Sequence, residues 1–110
     1  YQKAVAIIGS VKNIILKHPG SFGVWASAAM NLAAGINEIA VTGIGAIPLL
    51  QEVLHLYIPN KVLQSGVGPS NMPLLKGKEV FNKTCIHLCC NSVCKLPIFD
   101  IISLKKELSL

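Results

Sequence analysis

The chain has no arginine, so all ten of its basic residues are lysines. The lysines are spread from Lys3 to Lys106, and only Lys105 and Lys106 are adjacent. Proteins that read nucleic acids usually concentrate basic residues on one face and use arginine for bidentate contacts with guanine. The net charge of +5 therefore predicts a solvated basic surface and no nucleic-acid partner.

Carboxylates are scarce as well, and they share no obvious face: they are Glu38, Glu52, Glu79, Asp100 and Glu107. An acid/base pair, which needs two groups within reach of one substrate, is therefore not expected. The chain also lacks a Cys-x-x-Cys motif at the start of a helix, which argues against an active site of the thioredoxin type.

Long hydrophobic runs are missing too. Residues 22–36 and 39–50 are uncharged, but each run is shorter than the ~20 residues that a membrane-spanning helix needs. Asn37 and Glu38 separate the two runs, and Pro48 interrupts the second. We therefore expect no membrane-spanning segment and no membrane partner. No N-terminal signal peptide is visible in these residues. We expect a cytoplasmic location.

What the chain does have is a high apolar content, 52% of its residues, although much of a small domain's surface must face water. It begins at Tyr1, with no initiator Met, inside a helical pattern. These features predict a fragment whose excess apolar surface faces the rest of a larger protein. Without that remainder, we expect the chain to self-associate through its exposed apolar faces.

The first third of the sequence predicts a helical hairpin. Apolar residues recur at helical spacing over residues 2–17, and a second helix rich in small side chains is expected at about residues 22–34. Pro19 and Gly20 end the first helix, and Gly35 stands where a C-terminal helix cap is expected.

The remainder predicts a small α/β unit. Residues 38–43, 47–57 and 61–65 read as strand, helix and strand, which make a βαβ unit with parallel strands. After a loop rich in glycine and proline, residues 84–90 are expected to add a third strand to the same sheet, with the first strand at its centre. Asp100 is expected to cap a final helix. The predicted fold class is therefore α/β.

The third strand is mostly apolar on both faces. Alternation places Cys85, His87 and Cys89 on one face and Ile86 and Leu88 on the other. A strand of this kind is expected to be covered on both sides. We expect the helix of the βαβ unit on one face, and either the hairpin or the final helix on the other.

The cysteines offer several chemistries. Zinc sites usually take ligands from tight Cys-x2-Cys turns, whereas Cys85 and Cys89 would lie ~13 Å apart on an extended strand. We therefore expect no metal and no cofactor. A disulfide between Cys89 and Cys94 would close a short loop and contribute roughly 2 kcal/mol, but in a reducing cytosol both would be free thiols. We favour free thiols over the disulfide, and the disulfide over a catalytic role.

Two weaker candidates remain. Gly43-x-Gly45 follows the first strand like a phosphate-binding turn, but the third glycine of a dinucleotide fingerprint is replaced by Pro48 and no acidic residue ends the second strand. We therefore expect no nucleotide cofactor. His18 lies at the turn of the hairpin, where it could face a pocket, although a surface or capping role is favoured.

A series of short motifs resembles the C-terminal end of one protein family: His18-Pro-x-x-Phe22-Gly23, Glu38-Ile-Ala-Val-Thr-Gly43, Tyr57-Ile-Pro-Asn-Lys61, Pro73-Leu-Leu-Lys-Gly-Lys78, Lys83-Thr84 and Cys89-x4-Cys94-Lys-Leu-Pro97. The family is that of the spermatogenesis-associated, thioredoxin-domain-containing proteins and their bacterial relatives. Its members are long, with an N-terminal thioredoxin-like domain, a six-hairpin (α/α) toroid similar to sugar epimerases and glycosidases, and a small α/β tail.

The resemblance implies that residues 1–36 are the last hairpin of the toroid and that residues 37–110 are the tail domain. The partners it implies are the upstream toroid and the thioredoxin-like domain of the same protein. The chain departs from the family at His87-Leu88, where Tyr-Val is usual, and at the extra cysteines Cys85 and Cys90, which allow more than one disulfide pairing.

No catalytic residue of the family maps onto this segment, so we expect a non-catalytic structural segment of a protein of carbohydrate metabolism, and no enzyme in this chain alone. Two alternatives stay open. One is a small redox or zinc-binding module that uses the cysteines. The other is a truncated piece of a carbohydrate epimerase or isomerase, with His18 bordering its pocket.

Overall fold

The computed structural model describes residues 1–78, 82–91 and 93–110. The chain divides into two compact units, Tyr1–Ile36 and Asn37–Leu110. It combines helices with a mixed β-sheet, so the α/β fold class predicted from the sequence is confirmed.

The first unit is a pair of helices, α1 (Gln2–Lys17) and α2 (Gly23–Ala34), in contact with each other as the predicted hairpin. α1 ends at Lys17 with His18 as its C-cap, because the residue before a proline avoids the helical region. α2 ends at Gly35, whose φ of 80° lies in the left-handed region that favours glycine. Neither helix contains a buried residue.

The second unit is built on a four-stranded sheet: β1 (Asn37–Thr42), β2 (Lys61–Gly66), β3 (Cys85–Cys90) and β4 (Val93–Cys94). The strand order is β2-β1-β3-β4. β1 pairs parallel with β2 and antiparallel with β3, and β4 pairs antiparallel with β3. The three predicted strands and the central place of β1 are confirmed. The expectation of three strands was one short, because β4 is too brief for its sequence to show a strand pattern.

One face of this sheet carries the hydrophobic core. Ile39 of β1 and Leu88 of β3 are paired neighbours on it, and Val53 of helix α3 (Ala46–Leu54) packs against them. Leu104 of helix α4 (Ile101–Leu108) belongs to the same cluster. α4 therefore lies on the same face as α3, whereas the sequence led us to expect it, or the hairpin, on the opposite face.

The loop that follows β2 lies against the second face of the sheet. Gln64 and Gly66 of β2 are aligned with Ala40 and Thr42 of β1 on this face. The Leu74 N–H donates a hydrogen bond of 3.0 Å to Oε1 of Gln64. The adjacent Leu75 is buried, with a side-chain methyl beside Gly66. The loop after β2 therefore folds back over the face that the sequence assigned to a helix.

Candidate functional site

The second face of the sheet gathers the chemistry-bearing side chains of β3. Register places Cys85 opposite Thr42, His87 opposite Ala40 and Cys89 opposite Glu38. The predicted alternation of β3 is therefore confirmed. Cys85, His87 and Cys89 are all buried, and Thr42 is buried beside them.

Three of these side chains form a compact polar cluster, which we call the Thr42–Cys85–His87 cluster. Nε2 of His87 lies 3.2 Å from Oγ1 of Thr42 and 3.2 Å from Sγ of Cys85. Oγ1 of Thr42 and Sγ of Cys85 are 3.5 Å apart. Each pair is within hydrogen-bonding reach, since hydrogen bonds that involve sulfur are longer than those between oxygen and nitrogen atoms.

The protonation state of His87 follows from its surroundings. Burial lowers the pKa of His87 below its ordinary value of 6.5, and the positive charge of Lys78 lowers it further, whereas a backbone hydrogen bond with Lys78 opposes the shift. The imidazole is therefore neutral at pH 7. A neutral ring nitrogen can accept a hydrogen bond from the Thr42 hydroxyl or from the Cys85 thiol.

The cluster places a thiol against an imidazole, as around a cysteine nucleophile, but the thiol is not accessible to solvent. A thiol beside an imidazole is the arrangement that activates cysteine in covalent catalysis. Here Cys85 exposes 0% of its surface and His87 exposes 9%. Across the described residues, no buried side-chain nitrogen or oxygen lacks a hydrogen-bond partner. The geometry is that of a satisfied polar network inside the sheet, closed to a substrate of ordinary size.

A disulfide lies at the end of β3. It joins Cys89 to Cys94, which are directly paired residues of β3 and β4 with Cα atoms 3.9 Å apart. The Lys95 N–H donates to the Leu88 carbonyl just beyond the bond, at 2.9 Å. Disulfide bonding is one of the alternatives that the sequence left open, and it is not the one that we favoured. Cys85 and Cys90 are free thiols, the first buried and the second exposed.

The glycine turn after β1 is filled by the chain itself. The Gly45 N–H donates to Oγ1 of Thr84 at 2.8 Å. Gly43, with a φ of 108°, has the backbone of Lys83 against its Cα, where a side chain would collide with the carbonyl oxygen. The N–H that a phosphate would use in such a turn is therefore occupied by Thr84.

His18 is exposed at the end of α1, where its backbone N–H donates to the Ile14 carbonyl at 3.0 Å. The first unit does contain an apolar cleft of about 240 Å³, lined by Ile8, Gly9, Lys12, Ile15, Leu16 and Ala29. His18 is not among these lining residues, so the structure does not bring it to this cleft.

The side chains and helices that the structure describes bear on metal binding and on membrane insertion. Among them, no group of three or more histidine, cysteine, aspartate or glutamate side chains is placed to hold a metal ion. Within the same residues, no helix combines the length and the apolar character needed to cross a membrane.

Comparison with known proteins gives no relative for this arrangement. The chain matches no protein-family model, no curated protein and no solved structure.

Proposed function

We propose that this chain is a non-catalytic structural segment of a larger protein that resembles sugar epimerases and glycosidases and carries a thioredoxin-like domain upstream. In this proposal the first unit completes a helical toroid, and the second unit is the α/β tail that follows it. The partners of the chain are then other parts of its own polypeptide.

The observation that carries the proposal is the surface of the first unit. Its two helices bury no residue, yet both are rich in apolar side chains. Leu16, Val24 and Met30 expose 70%, 86% and 57% of their surfaces. Burying such side chains is worth about 1.5–3 kcal/mol each, so a hairpin of this composition gains most of its stability from a partner. Further helices of a toroid would supply that cover.

The second unit supports a non-catalytic role in a different way. Its Thr42–Cys85–His87 cluster is closed, and its glycine turn is occupied by Thr84. The disulfide also removes two of the four thiols that a zinc module would use. The polar groups of the cluster and of the turn therefore bond to the chain itself.

A cytoplasmic location is part of the same proposal. Cys85 and Cys90 remain free thiols beside the disulfide, and thiols persist in compartments that glutathione and thioredoxin keep reducing. The exposed thiol of Cys90 favours such a compartment, whereas the Cys89–Cys94 disulfide favours an oxidising one, because disulfides are rare in the cytosol.

Hydrogen exchange on the intact chain tests the structural proposal. At concentrations where the chain is monomeric, amides of α1 and α2 should exchange at least about 100-fold faster than those of β1 and β3, because the hairpin lacks the cover that stabilises it. The sheet serves as the internal reference. A hairpin as strongly protected as β1, in a chain shown to be monomeric, would contradict the proposal.

A further inference from the structure

The two residues of the disulfide differ sharply in their exposure to solvent. Cys89, on the second face of the sheet, exposes 1% of its surface, whereas Cys94 lies on the exposed strand β4. An approaching thiolate can therefore reach Cys94 while Cys89 is shielded. We infer that the Cys89–Cys94 bond is a thiol–disulfide exchange site, attacked at Cys94 by a dithiol reductant.

The local architecture allows the bond to open without unfolding the sheet. β4 has two residues, and it is joined to β3 through the pairs Cys89↔Cys94 and Cys90↔Val93. β3 is independently held by its full pairing with β1. Cleavage therefore leaves the central strands paired, and β4 stays held to β3 by its backbone pairing and by the hydrogen bond from the Lys95 N–H to the Leu88 carbonyl. Exposed disulfides of this kind are the ones that exchange readily, in contrast to those sealed in a core.

The exchange reaction balances in two steps. A thiolate of the reductant bonds to Sγ of Cys94, the Sγ–Sγ bond breaks, and Cys89 leaves and takes up the proton that the attacking thiol lost to water. The second thiol of the reductant then attacks the reductant's first sulfur, which is bonded to Sγ of Cys94 in this mixed disulfide. That step releases Cys94 as a thiol and leaves the reductant as a disulfide. The chain gains two electrons and two protons, and the dithiol loses them.

The remaining cysteines play no part in this reaction. Cys85 lies on the same face of β3 as Cys89 but is fully buried beside His87. Cys90 is exposed, and strand alternation directs it to the opposite face from Cys89. In an alkylation experiment Cys90 therefore serves as the control for an exposed thiol, and Cys85 serves as the control for a buried one. This inference is independent of the proposed structural role.

Alkylation mapping of the whole chain tests the inference. The native protein is incubated with graded dithiothreitol, alkylated and analysed by mass spectrometry. We expect Cys90 to react at every dose, Cys94 to react once the reductant is present, Cys89 to lag behind Cys94, and Cys85 to stay unmodified. A disulfide that resists the reductant until denaturant exposes Cys85 would overturn the inference, because the bond would then be purely structural.

Trapping the mixed disulfide identifies the attacked sulfur. Cys89→Ser and Cys94→Ser are each made in a Cys90→Ser background and incubated with oxidised glutathione. The Cys89→Ser chain should form the mixed disulfide, at Cys94, at least about tenfold faster than the Cys94→Ser chain forms it at Cys89. Equal rates in two chains with native circular dichroism would overturn the assignment of Cys94. If either variant fails to fold, the mapping of the unaltered chain still decides the question.

Discussion

Sγ of Cys85 lies 3.2 Å from Nε2 of His87 on the second face of the sheet, opposite the hydrophobic core. The hydroxyl of Thr42 lies within hydrogen-bonding reach of both atoms. The three groups come from the two central strands and satisfy one another. Their burial makes them determinants of stability, and their effects can be measured without knowing any substrate.

The pH dependence of stability should reveal His87. In the folded chain its pKa lies below the ordinary 6.5. As the pH falls through about 6.5 the unfolded chain binds a proton that the folded chain does not, so stability falls, by at most about 1.4 kcal/mol per pH unit. Urea unfolding between about pH 7.5 and about pH 5.5 measures this slope. His87→Gln should flatten it. If His87→Gln leaves the slope unchanged, the pH dependence of stability does not come from burial of His87 in the cluster, and the prediction is wrong.

Removing the buried thiol should cost stability. Cys85→Ala leaves a small gap beside His87 and removes one of its neighbours, so we expect a loss of about 1–2 kcal/mol in the free energy of unfolding. The matched change at the exposed thiol, Cys90→Ala, should stay within about 0.5 kcal/mol of the unaltered chain. Urea titration under one redox condition compares the two. Equal effects at the two positions would mean that Cys85 is not in a closed environment.

The glycine turn should tolerate no side chain at Gly43. Its φ of 108° is strained for any other residue, and an added Cβ would overlap the Lys83 carbonyl oxygen. Gly43→Ala should therefore lower the free energy of unfolding by about 2 kcal/mol or more. Gly68, which has open space around it, is the control, and Gly68→Ala should change stability by less than about 0.5 kcal/mol. A neutral Gly43→Ala would show that the turn is not closed by Lys83.

Local patterns were enough to predict the hairpin and the βαβ unit. The end of α1 follows from a proline after His18, and the end of α2 follows from Gly35. The start of α4 at Asp100 was predictable for the same reason, since its carboxylate accepts the Ser103 N–H at 2.7 Å. Each of these signals acts within a few residues along the chain.

Relationships between distant residues were not predictable from such patterns. Thr42 was missed as a partner of Cys85 because only the register of β1 against β3 brings the two together. Leu75 and Lys78 were assigned to a loop, and nothing in a loop sequence shows which face it covers. The sequence places His87 on a cysteine-rich strand, but its lowered pKa depends on its burial and on the positive charge of Lys78, which belongs to that loop.

The oligomeric state of the chain tests the central claim, that the hairpin is an uncovered part of a larger assembly. In light scattering we expect mass to rise with concentration, together with binding of a hydrophobic dye, because large exposed apolar patches seek partners. Leu16→Lys, Val24→Lys and Met30→Lys combined should reduce both signals, whereas Ile102→Lys, at an exposed position of α4, should not. A compact monomer that persists across the concentration range and binds no dye would contradict the account.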